Sequence, residues 1–142
     1  MTVHLIKLCV GVDSIEVLAA WQSRRLRDLK RRGRKLELMH VTRQTPKRAE
    51  ELLAGGSLYW VVKGQIAVRQ RILALKPVTK NGVPHCGIVY DPELVATLRW
   101  FRNPFQGWRY LRPEDAPPDA RALQGGNLPE ALKIELALLG LL

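Results

Sequence analysis

The stretch AEELLAGGSLYWVVKG, Ala49 to Gly64, leaves this chain few local conformations. A short helix-forming run meets two glycines, and an apolar aromatic run of strand type follows at once. Pro46 stands ahead of the helix and Gly55 or Gly56 beyond its end, positions that suit proline's fixed φ and glycine's tolerance of positive φ. The chain returns as QIAVRQRIL, in which Ile66, Val68, Gln70 and Ile72 alternate with Ala67, Arg69, Arg71 and Leu73. One face of this second strand is therefore expected to be apolar, the other to carry two arginines in series.

The rest of the chain fits around this unit. Residues 3 to 10 read as a strand, and Asp13 or Ser14 caps a helix running to Gly33. Ile15, Leu18, Leu26 and Leu29 form its apolar stripe. Further strand-like runs lie at Leu36–Thr42, Leu58–Lys63, Gln65–Leu75, Cys86–Tyr90 and Leu94–Phe101, with Asn81-Gly82 as a hairpin-turn signal. Strands outnumber helices through the middle. The expected class is α+β: a curled, mostly antiparallel sheet or small barrel with N-terminal and C-terminal helices at its flanks. The 142 residues are expected to form one domain. Within it, 1–112 is a basic body, and 113–142 is a proline-rich wrap followed by a C-terminal helix whose stripe is Leu128, Leu132, Leu136 and Leu139. That helix docks on the core, or makes a dimer contact, so a monomer or weak homodimer is expected.

Charge points to a partner. The net charge is +10, and residues 1–112 hold 21 of the 23 basic residues but 8 of the 13 acidic ones. Such an excess suits RNA or another polyanion, although an arginine-rich surface without a ligand also accounts for it. Three clusters carry this reading. The run RRLRDLKRRGRK places Arg24, Arg25, Arg27, Arg31 and Arg32 on one helix as an electrostatic track. Arg43, Lys47 and Arg48 surround the start of the short helix, where free N–H groups would favour an anion. Tyr59 and Lys63, with Arg69 and Arg71, are expected to line a sheet-face groove of the kind that stacks bases and holds phosphates. Trp60 reads as core. Phe105, Trp108 and Tyr110, around Gly107 and Arg109, either pin a loop to the sheet or build a ligand wall.

Signatures of catalysis are missing from the sequence: there is no GxxxxGK[ST], GxGxxG, GxSxG, HExxH or paired CxxC. His4, His40 and His85 are isolated, and the two cysteines, Cys9 and Cys86, have no zinc or disulfide spacing. No catalytic residue, metal site or cofactor is expected. The competing readings are a nucleotide- or small-molecule-processing enzyme drawing on Arg43, His40, Asp91 and Glu93, and an interaction subunit. The N-terminus has no signal-peptide pattern and no window is apolar enough to span a membrane, so a cytoplasmic protein is expected.

The segments HLIKLCVGVDSIEVLAAWQ, HVTRQTPKRAEELLAGGSLYWVVKGQIAVRQRIL, YDPELV and FQGWRYL with PEDAPPD resemble, nearly end to end, a bacterial and chiefly alphaproteobacterial family known as a domain of unknown function. This resemblance implies no activity. A more distant one is carried by Leu52, Gly55, Gly56, Ser57 and Leu58. There the helix, the Gly-Gly-Ser turn and the strand are similar to a segment of PUA-type barrels, small curled barrels many of which bind RNA or modified nucleobases. YWVVKG is bulkier than the corresponding PUA run, and the later Gly-Asp entry to a strand is missing.

Overall fold

The computed structural model describes residues 1–120. Seven strands form one curled sheet in the order β2-β5-β4-β3-β1-β7, with β6 against β4. They are β1 His4–Leu8, β2 Leu38–Thr42, β3 Ser57–Val62, β4 Gln65–Lys80, β5 Val83–Tyr90, β6 Val95–Phe101 and β7 Trp108–Leu111. Helix α1, Ile15–Arg31, lies between β1 and β2 in sequence, and α2, Ala49–Leu53, between β2 and β3. All pairings are antiparallel except β1 with β3.

Strand β4 organises the sheet. Its first half pairs with β3, while β5 and then β6 run antiparallel along it. The strand runs five residues past the expected end at Leu75, through Pro77, which sits opposite Cys86. Pro77 is tolerated because β3 has ended by then, so no ladder bond is required from its nitrogen. The β4–β5 turn uses Asn81 and Gly82, both at positive φ (51° and 76°), as the Asn-Gly signal implied. Strand β7 was not anticipated; its four residues lie within a segment rich in glycine and proline.

Alternation in β4 is interrupted at two places, at Leu73 in the pairing with β5 and at Ala67 in the pairings with β3 and β6. Trp60 faces Val68 and Val61 faces Ile66, so Ala67 is a bulge. Val68, Gln70 and Ile72 keep the face that packs beneath α1, with Leu18, Leu58 and Trp60. Ile66, expected on that face, joins Tyr59, Ile6 and Leu111 on the other. The Ala67 bulge thus moves Ile66 from the face under α1 to the opposite face.

The two ends of the sheet meet through side chains. Trp108 Nε1 donates to the Gln44 carbonyl at 3.1 Å, and the Tyr110 hydroxyl accepts from the Lys47 and Arg48 amides at 2.8 and 3.1 Å. Among the described residues no ladder joins β2 to β7, so the sheet is curled and open. Trp60 is core, and Trp108 and Tyr110 pin the last strand to the loop after β2. The C-terminal helix expected around Leu128–Leu139 lies outside the described residues.

Gly56 joins α2 to the sheet. Its amide donates to Leu52 O and its carbonyl accepts from Ile72 N, both at 2.9 Å. A Cβ here would collide with the carbonyls of Val3 and Leu52. The second glycine of the Gly-Gly pair is there for close packing, while Gly55 supplies the positive φ of 92°.

Candidate nucleic-acid interface

Helix α1 starts where Ser14 Oγ accepts the Val17 amide at 3.2 Å, and ends as Arg32 caps it and Gly33 turns with φ 67°. Leu18, Gln22 and Leu29 are its buried residues. Gln22 is held by a reciprocal amide pair with Gln70: Gln22 Nε2 donates to Gln70 Oε1 at 2.9 Å, and Gln70 Nε2 to Gln22 Oε1 at 2.7 Å. Gln70 Oε1 also accepts from Trp60 Nε1 at 2.9 Å, and its Nε2 donates to the Asp91 carbonyl at 3.0 Å. Both amides are buried, so this network sets where α1 sits on β4.

So placed, α1 and the following turn face β2 across a groove of about 1,100 Å³. Arg24, Arg25, Arg27, Arg31, Arg34 and Lys35 line it, with Trp21; Leu38, Met39, Val41 and Tyr90 contribute apolar surface. Two acids are present, Asp28 and Glu37, and cations already occupy both. Asp28 takes Arg31 at 2.7 Å, Arg32 at 3.4 Å and Arg25 at 3.9 Å. The hydrogen bond from Arg31, more than the surrounding charges, holds the Asp28 carboxyl below its usual range. Glu37 takes Lys76 at 2.8 Å and Lys35 at 3.7 Å, and the hydrogen bond from Lys76 lowers it likewise. Among the described residues Arg24, Arg27 and Arg34 pair with no acid.

The second expected cluster differs from the pattern in the sequence. The amides of Lys47 and Arg48, which the sequence reading offered to an anion, donate to Tyr110. The Arg48 guanidinium forks onto Glu51 and lies 5.3 Å from the centre of the Tyr110 ring. Arg43 and Lys47 are exposed, and their side chains make no ion pair among the described residues.

The third cluster is partly assembled. Tyr59 pairs with Arg69 and Ser57 with Arg71, so Tyr59, Arg69 and Arg71 do share a face. A strap roofs that face. Arg69 donates to both Asp119 oxygens at 2.7 Å and to Ser57 Oγ at 3.0 Å. Pro113, Pro117 and Pro118 line an open depression of about 350 Å³ beside it. Tyr59 is 5% exposed, so the open stacking surface expected of it is not present. His4 meets the Tyr59 ring edge-on at 5.0 Å and accepts the Ser57 amide at Nδ1 (2.9 Å), which leaves its proton on Nε2. Burial, and then the Arg69 charge, lower the His4 pKa. Lys63 sits in the β3–β4 turn at φ 50°, off this face. Arg71 is exposed.

The α1 cations and the Tyr59–Arg69 pair belong to opposite faces of the sheet, because Trp60 packs with α1 and Tyr59 points the other way. The three clusters form no continuous track. The groove between α1 and β2 gathers most of the first cluster, through Arg34 and Lys35 at the end of its run, together with two residues that the sequence reading did not single out as site residues: Trp21 and Met39. A signal for Trp21 was available in AWQSRR, since Arg24 and Arg25 lie three and four residues on, one helical turn away.

A family model described as a protein of unknown function (DUF1489) matches residues 5–142. The chain belongs to that family. No curated protein and no solved structure matches it.

Other chemistry is sparse among the described residues. No group of three or more His, Cys, Asp and Glu side chains could hold a metal ion, and no helix is long and apolar enough to cross a membrane. Burial pushes the Cys9 thiol up to about 11 and raises Cys86 as well, which disfavours the thiolate at both. His85 Nδ1 contacts the Val83 carbonyl at 2.9 Å.

Proposed function

We propose that this member of the family is a non-enzymatic nucleic-acid-binding module, with RNA as the first candidate ligand, and that the groove between α1 and β2 is its binding surface. The observation that carries this reading is the lining of that groove: six cations, and two acids each already neutralised by cations. Arginine predominates, and its planar fork suits phosphate oxygens better than a point charge does. Arg43 and Lys47, in the loop that follows β2, serve as outer contacts in this reading; Arg48, Tyr59 and Arg69 hold the fold, and Lys63 and Arg71 lie away from the groove. The likeness of Leu52, Gly55, Gly56, Ser57 and Leu58 to a segment of PUA-type barrels favours RNA. The protein works in the cytoplasm as a monomer or weak homodimer.

Filter binding with mixed cellular RNA at low and moderate salt tests the proposal. Affinity should fall as salt rises, with log K dropping by about 0.7 per decade of salt for each phosphate contact to a single strand. The triple variant Arg24→Gln, Arg27→Gln, Arg34→Gln should bind more weakly and show a shallower salt slope. Wild-type binding no tighter than that of a neutral control protein at low salt refutes the reading.

A further inference from the structure

We infer that the groove is built for single strands, with a base stacked on Trp21, phosphates on the α1 arginines, and base edges against the free edge of β2. This rests on the proposed function and specifies its ligand. Trp21 is 65% exposed and lines the groove. Its ring enters no ring–ring or cation–ring contact among the described residues. Its neighbour Gln22 takes the position facing the sheet, so Trp21 is held at the shoulder of α1 by a helix whose orientation is fixed from below. Arg24 and Arg25 follow one turn on, and Arg31 lies about 15 Å along the axis from Trp21. An indole followed by guanidiniums on one flank matches the alternation of base and phosphate along a strand.

The opposite wall supplies hydrogen-bonding groups. Strand β2 pairs only with β5 among the described residues, so its other edge has unpaired backbone N–H and C=O groups. The groove touches Leu38, whose side chain enters the core, and also Met39 and Val41, which alternate to the other face. Contact with both sets places the groove along the strand's edge. Unstacked bases can present their edges to such groups; a duplex has its base faces stacked and its pairing edges occupied, leaving nothing for Trp21. An added peptide strand would need pockets for alternate side chains, whereas here the wall facing β2 is mostly guanidinium. A second copy of the chain would bring the same cations against their like.

Binding should be measured by filter assay and tryptophan fluorescence at low salt, with a uridine 12-mer, a duplex of equal length, heparin and poly-glutamate as separate probes. The proteins are wild type, Trp21→Ala, Trp21→Phe and the triple arginine variant, each checked for an unchanged melting temperature. Wild type should prefer the 12-mer to the duplex, and its fluorescence should be quenched. Trp21→Ala should lose roughly 5- to 100-fold for the 12-mer, the range that stacking supplies per base, and nothing for heparin. Trp21→Phe should retain most of the affinity and lose the quench. If Trp21→Ala binds the 12-mer as wild type does, or the duplex binds equally well, the single-strand inference is overturned, while weak binding by the arginine variant still upholds the groove. Tighter binding of poly-glutamate than of the 12-mer overturns it in favour of an acidic peptide. If no probe binds wild type, the proposed function itself fails.

Discussion

Gln70→Leu should be among the most damaging single substitutions that add no bulk. Gln70 is fully buried and its amide makes four hydrogen bonds, two to Gln22, one from Trp60 Nε1 and one to the Asp91 carbonyl. Leucine leaves four polar groups without these partners: the buried Trp60 N–H, both ends of the buried Gln22 amide, and the half-buried Asp91 carbonyl. Each costs about 1–3 kcal/mol. Burying a leucine side chain in place of the amide returns about 2 kcal/mol, and relaxation lets some groups find water. The net loss should be about 3–5 kcal/mol, seen as a fall in melting temperature of roughly 10–20 °C for a chain of this size. Urea unfolding followed by tryptophan fluorescence measures it. Adding Gln22→Leu should cost less than it does alone, with a coupling of about 1 kcal/mol or more, because the two amides satisfy each other. A loss under about 1 kcal/mol, or strict additivity, refutes the claim that this network anchors α1.

Gly56→Ala should destabilise by about 3 kcal/mol, since the added methyl meets two backbone carbonyls that cannot rotate away; Gly55→Ala is strained by its φ but meets no atom, and a melting comparison separates the two. Asp119→Asn should weaken the Arg69 fork by about 1 kcal/mol at this partly exposed site, and should speed limited proteolysis within the proline strap while melting changes little. The pH dependence comes from His40, whose pKa is lowered from 6.5 to about 4 by burial, and secondarily by the Lys7 charge. Because the unfolded chain protonates first, stability is complete above about pH 6.5 and drains as pH falls towards 4. The loss at pH 5 should be about 1–2 kcal/mol, allowing for partial exposure; His40→Phe should flatten most of this slope, with His4 leaving a remainder of the same sign.

Legibility in the sequence followed the range of the interactions. The α1 cap at Ser14, the Asn81-Gly82 turn and the helix–Gly-Gly–strand unit depend on neighbours a few residues apart, and they were read nearly to the residue. The pairing of Tyr59 and Arg69 on one face was not available from alternation, because it depends on the Ala67 bulge, without which Tyr59 would lie opposite Val68. The continuation of β4 through Pro77 was missed because only the end of β3 makes that proline harmless. Strand β7 was missed because its partner, β1, lies about a hundred residues earlier.

Local physical chemistry, acting over single helical turns and strand repeats, therefore determined most of the element types and the amphipathic, cationic character of α1. Tertiary structure decided which charges remain open to a ligand. Asp119, fifty residues from Arg69, converts an expected ligand contact into a strap fastening, and Tyr110 occupies the amides offered to an anion at Lys47 and Arg48. The Gln22–Gln70 pair, forty-eight residues apart, sets α1 beside the edge of β2 and so creates the groove. A charged side chain has the same sequence signature whether paired or free; only the position of its partner distinguishes the two, and folding sets that position.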